Sequence, residues 1–135
     1  MPARYLLDTD ICIHARRRRA PALLARFDKL ERGEAMLSVV TYGELLHGAR
    51  KSLESERALR TIEEFASLFD IAPVTMETAR MYGMIRADLE RRGGIIGGND
   101  LWIAAQARAA GLTLVTGNER EFRRVTGLKV ENWST

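Results

Sequence analysis

"RYLLDTDICIH" (residues 4–14) runs apolar through Leu6 and Leu7 and then sets Asp8 and Asp10 two positions apart. The apolar start reads as a short buried strand and the periodic run behind it as a helix. An acid at such a junction has two readings. It caps the helix by accepting a backbone N–H, or it lines the crevice beyond the carboxyl ends of the strands of an open α/β sheet, where ligands bind. We assign Asp10 mainly to capping, through the N–H groups of Cys12 and Ile13, with an outer-shell role at the site as the lesser alternative, and Asp8 to the crevice.

The same alternation continues downstream. "AMLS" (35–38), "IAPV" (71–74) and "LTLVT" (112–116) read as strands, the second as an edge strand because of Pro73, and "LKVENW" near the end adds another. Helical periodicity covers about 11–31, broken before Pro21, then 39–50, 54–69, 76–92 and 99–110. Strands separated by helices imply right-handed crossovers, and hence a three-layer α/β/α sandwich with a central, mainly parallel sheet. No internal repeat or low-complexity linker interrupts it, so residues 1–135 are expected to form one domain.

Hydrophobic residues make up 46% and charged residues 29%, the balance of a globular chain, and no apolar run approaches the roughly 20 residues that span a bilayer. The start, "MPARYLL", enters a strand without an export signal, which predicts a cytoplasmic protein with no membrane partner. The single cysteine, Cys12, forms no internal disulfide and falls in an apolar stretch that predicts a buried thiol. Net charge is +3, with a pI near 9.4. Arginine clusters at Arg16 to Arg19, Arg91–Arg92 and Arg123–Arg124. Such clusters suit a phosphate backbone, and equally a solvated helix end.

Four further positions carry chemistry. Glu44, in "SVVTYGELLHGAR", shares a helical face with Val40, His47 and Gly48, where an ionised carboxylate is costly unless paired or bound to metal. Asp100, in "GGIIGGNDLWIAAQARAAG", opens a very apolar helix that carries it inward, although Asn99 or Asp100 also serves as a cap. The later strand ends in "VTGNEREF", placing Thr116 and Asn118 at a second strand terminus. One α/β sheet brings Asp8, Glu44, Asp100 and the 116–118 turn together. Close carboxylates resist ionisation without a countercharge. An all-oxygen ligand set with no Cys/His cluster favours Mg²⁺ or Mn²⁺. His14 and His47 lack ligand spacing and read as core or surface residues.

"LLDT" (6–9), "YGEL" (42–45), "NDLWIAA" (99–105) and "LVTGNEREF" (114–122), in this order and down to the final "VENW", resemble the PIN-domain family, most closely its VapC-like toxins. The resemblance implies a PIN-like sandwich and a metal-dependent ribonuclease held inactive by a cognate VapB-like antitoxin. It further implies a homodimer within a toxin–antitoxin hetero-oligomer. Asp8, Glu44 and Asp100 match the family's acidic residues, and Thr116 and Asn118 the polar turn closing the site. Some relatives have an aspartate in that turn. Asn118 is neutral, which leaves Glu119 or Glu121 as the substitute and one versus two metal ions open. The implied mechanism places Mg²⁺ on Asp8 and Asp100, with Glu44 orienting a water and taking its proton for in-line attack on an RNA phosphodiester.

Two rival readings stay open at this level. Asp8-Thr9-Asp10 fits the DxD of haloacid-dehalogenase-like phosphatases, with Ser38 ending the second strand but no convincing lysine. A non-catalytic nucleic-acid-binding module would use the basic clusters and reduce the acids to helix caps. For an antitoxin, the face around Tyr42, Leu45, Leu46 and Ala49 is the expected seat of a peptide whose basic side chain suits the acidic pocket.

Overall fold

Tyr5, Leu6 and Leu7 are all buried, so the first strand, β1 (Tyr5–Leu7), has covered faces on both sides, as a central parallel strand requires. The computed structural model describes residues 2–17 and 20–134, without the side chain of Arg17. β1 is flanked by β2 (Ala35–Ser38) and β4 (Thr113–Val115). β3 (Asp70–Ala72) lies outside β2, and β5 (Val130–Glu131) outside β4. The sheet order is β3-β2-β1-β4-β5 and every pair is parallel. The strand expected at 71–74 stops at Ala72, before Pro73, and is an edge strand as foreseen.

Alternation along the strands divides the interior in two. Tyr5, Leu7, Leu37 and Val115 face a core shared with α1 (Thr9–Arg17), α2 (Pro21–Asp28), α3 (Val39–Arg50) and α4 (Ser55–Ala66), closed by Trp133. Leu6 and Leu114 face the opposite core, filled by α5 (Met76–Arg92), α6 (Gly98–Ala110) and Phe122 of the short α7 (Glu119–Phe122). Two cores on one sheet make the three-layer sandwich.

Local chemistry sets the helix bounds. The segment expected at 11–31 is two helices, interrupted before Pro21, and α1 starts at Thr9 rather than at residue 11. Asp8 makes that earlier start. Its Oδ1 accepts the Thr9 N–H at 2.8 Å and its carbonyl accepts from Cys12 at 3.2 Å. Ser38 ends β2 and caps α3 by accepting from Val40 and Thr41. α5 opens on a Thr75/Thr78 capping box and closes on Gly93, whose φ of 68° is the left-handed conformation that favours glycine. The single-turn α7 was not legible in the periodicity, which four residues cannot express. Cys12 is buried, and burial pushes its thiol up. No helix among the described residues is long and apolar enough to cross a membrane.

Candidate active site

Crossovers from β1 lead to β2 on one side, while β4 lies on the other, so the carboxyl ends of β1 and β4 form the topological switch point. Asp8 follows β1 directly and Thr116 follows β4. Thr116 Oγ1 donates to Asp8 Oδ2 at 2.8 Å and accepts from the Asn118 N–H at 2.9 Å. Asp8 is almost wholly buried, at 5% exposure. Its carboxyl is pushed up to about 7, first by burial and then by the charge of Asp10, against the bonds from Thr116 and Thr9; Asp100 raises it further.

Asp100 occupies the first turn of α6 but caps nothing: the cap position is Gly97, and no side-chain cap bond forms. That removes the capping role offered to it by sequence. Its carboxyl is pushed up to about 6 by partial burial, then by the charges of Glu121, Glu44 and Asp10. A helix N-terminus favours an anion, and here it is outweighed by burial together with surrounding like charge. Asp8, Asp10, Glu44, Asp100 and Glu121 therefore share one electrostatic neighbourhood.

Glu44 reaches this neighbourhood from α3. It accepts from Thr9 Oγ1 at 2.6 Å, and Thr9 also lies 3.2 Å from the Thr41 hydroxyl. The expectation of an apolar face shared with Val40, His47 and Gly48 is corrected. His47 and Gly48 are exposed, and the buried face of α3 is Thr41, Leu45 and Ala49. Glu44 is thus half-buried at the border between core and solvent. His14 is exposed as well.

The turn after β4 changes one expectation and separates two open candidates. Asp10 does not cap through Cys12 and Ile13; its Oδ1 accepts from Ile11 at 2.7 Å and its Oδ2 from the Gly117 N–H at 2.9 Å. Asn118 turns its amide to Glu121 Oε2, at 3.1 Å. Of the two candidate substitutes for a fourth acid, Glu119 is tied to Arg123 and Asn132, which hold it below the usual range, whereas Glu121 is the one whose charge reaches Asp100. The residues missed by sequence reasoning, Thr9 and Gly117, act through one hydroxyl and one backbone N–H, which carry no pattern.

Among the described residues, no three His, Cys, Asp or Glu side chains come close enough to hold a metal ion by themselves. Two carboxylates with water and substrate oxygens completing the shell are an ordinary Mg²⁺ arrangement. Asp8 and Asp100, both oxygen donors raised by burial and by neighbouring carboxylates, fit that arrangement. Of the arginine clusters, Arg17 (its side chain), Arg18 and Arg19 lie outside the described residues. Arg92 binds Asp88 and the carbonyl of Arg124, and Arg124 the carbonyl of Ile95, so one arginine of each pair ties α5, the residues after α7 and the loop leading to Asp100 together.

The PIN domain family model matches residues 5–128 of this chain. The chain belongs to the PIN-domain family. This PIN-domain chain is 43% identical over 130 residues to a protein named ribonuclease VapC2 from Haemophilus influenzae, covering 96% of this chain and 98% of the relative. It is likewise 43% identical over 131 residues to a Shigella flexneri protein named tRNA(fMet)-specific endonuclease VapC, covering 97% and 98%. In structure it is similar to DNA-bound VapBC from Salmonella typhimurium, with a TM-score of 0.91 and 37% identity over 97% of this chain and 98% of that one. PIN membership removes the haloacid-dehalogenase reading. Ser38, which that reading needed free, caps α3 and donates to Gln106. The acids of this PIN domain are also not mere caps, since Asp100 caps nothing and Glu44 lies inside α3.

Proposed function

We propose that this PIN-domain chain is the ribonuclease toxin of a VapBC-type toxin–antitoxin pair, hydrolysing RNA phosphodiester bonds with the help of Mg²⁺ or Mn²⁺. What supports the reading is that Asp8, at the switch point, feels the charge of Asp100, and that each of the two carboxyls is raised by burial and by neighbouring negative charge. Such a pair gains most from a cation. The names of the relatives support the reaction, and the VapBC neighbours support an antitoxin partner.

When bound at Asp8 and Asp100, the cation supplies positive charge to the phosphodiester oxygens and acidity to water. The chain's own residues do the rest. Thr116 keeps one oxygen of Asp8 directed by a hydrogen bond. Glu44, with Oε1 occupied by Thr9, keeps Oε2 for orienting the attacking water and taking its proton. Glu121, held by Asn118, adds negative charge beside Asp100 and is the candidate for a second cation contact.

An antitoxin peptide finds a recess of about 270 Å³ beside Glu44, walled by Ile13, Arg16, Leu45, Gly48 and Ile62. Leu45 and Ala49 also line this recess, while Tyr42 and Leu46 pack against the core. The homodimer belongs to the same proposal.

The test is cleavage of tRNA(fMet) and of bulk RNA by the purified chain in Mg²⁺ or Mn²⁺, with chelator and Asp8→Asn as controls. Cleavage that survives both controls would overturn the proposal.

A further inference from the structure

The chain has a second carboxylate beside Asp8 that neither caps α1 in the ordinary way nor is free. Asp10 Oδ1 accepts from Ile11, which fixes the side-chain rotamer against its own helix, and Oδ2 accepts the Gly117 N–H at 2.9 Å across 107 residues of sequence. A Cβ built on Gly117 would lie 2.6 Å from Asp10 Oδ2, nearer than atoms approach, and Gly117 has no positive φ that would otherwise call for glycine. A side chain at 117 would have to displace this carboxylate, so glycine is what lets the two approach as they do.

What Gly117 carries is the turn between β4 and α7. One residue earlier, Thr116 donates to Asp8; one residue later, Asn118 donates from its N–H to Thr116 and from its amide to Glu121. The turn has no other side-chain bond to α1 among the described residues. We infer that Asp10 is a positioning residue: by holding the Gly117 N–H it sets the turn, and through Thr116 the direction of the Asp8 carboxylate, while binding no cation itself. This inference rests on the proposed ribonuclease reading for its effect on rate, but its structural half stands apart from activity.

A ligand and a positioning group respond oppositely to loss of charge. Asp10→Asn keeps one carbonyl oxygen, which accepts from Gly117 at the expense of the Ile11 N–H, whereas Asp10→Ala leaves both N–H groups without a side-chain acceptor. The expected result is a fall in kcat of about tenfold to a hundredfold for Asp10→Ala, with KM little changed, since a misplaced reacting group costs rate on that scale. Asp10→Asn recovers most of the loss and binds Mn²⁺ in calorimetry within about threefold of the parent. Asp10→Asn as inactive as Asp10→Ala, with Mn²⁺ affinity lost, would make Asp10 a ligand and overturn the inference. An Asp10→Ala enzyme with parental kcat would overturn it too. The independent readout is hydrogen exchange at the Gly117 amide in the cation-free parent, which should be slowed at least about tenfold relative to an unprotected amide. Unprotected exchange there overturns the inference even if Asp10→Ala does not fold. If the parent cleaves no RNA, the proposed function fails while the exchange and Mn²⁺ results still decide the role of Asp10.

Discussion

Thr116 and Asp8, 108 residues apart in sequence, are joined by a 2.8 Å hydrogen bond across the ends of two adjacent parallel strands. The bond is buried and opposes the forces that raise the Asp8 carboxyl. Thr116→Val preserves shape and removes the donor, leaving Asp8 and the Asn118 N–H each short of a partner. The expected cost is about 1–3 kcal/mol of stability, together with reduced cleavage, measured by thermal melts in chelator and an RNA assay. An unchanged melting temperature would show that water replaces the hydroxyl.

Asp100→Asn separates ligand from cap. Asp100 makes no capping bond, so asparagine disturbs no helix end. Cleavage should fall by orders of magnitude, while the cation-free protein is at least as stable as the parent, because one member of a mutually repelling group is neutral. Near-parental cleavage by the folded variant would remove Asp100 from the site.

The raised carboxyls also set a pH dependence. Asp8 and Asp100 release their protons at about 7 and about 6 in the folded chain, against 3.8 in the unfolded one. The folded state therefore keeps protons that the unfolded state has already released. Their contribution is whole below 3.8 and is lost as pH rises to about 7. Melts in chelator should show stability declining across that window, and the slope should flatten in Asp8→Asn/Asp100→Asn. Added Mn²⁺ should stabilise more at about pH 8 than at about pH 5, where it competes with protons. A flat profile in chelator would contradict the burial and charge described for these groups.

Glu44→Gln keeps an oxygen for the Thr9 hydroxyl and loses the base. kcat should fall about a hundredfold or more with KM and melting temperature little changed. Equal loss in kcat and stability would instead mark Glu44 as structural.

The recess beside Glu44 has an open wall at Gly48, where an added Cβ meets nothing within 4 Å. Gly48→Met should fill it, weakening antitoxin binding about tenfold or more while leaving RNA cleavage by the free toxin intact. Titration of the toxin with the product of its neighbouring gene checks this. Binding no tighter than to an unrelated protein would refute the antitoxin assignment itself.

The alternation of "RYLLDTDICIH" with later strand and helix patterns determined the layered α/β architecture, because buried parallel strands and amphipathic helices each impose a local period that survives in one dimension. It also singled out Asp8, Glu44, Asp100 and Thr116, since acids and hydroxyls at strand ends and helix starts stand out against apolar neighbours. Which of these meet was decided only in three dimensions. The strand order that brings β4 beside β1 joins Thr116 to Asp8, the rotation of α3 leaves Glu44 at the border of the core, and the turn after β4 hands Glu121 rather than Glu119 to Asp100. Asp10 shows the limit most clearly. Its neighbours in sequence offered N–H groups to cap, but the decisive donor, Gly117, comes from 107 positions away, and a backbone N–H leaves no trace in composition or periodicity.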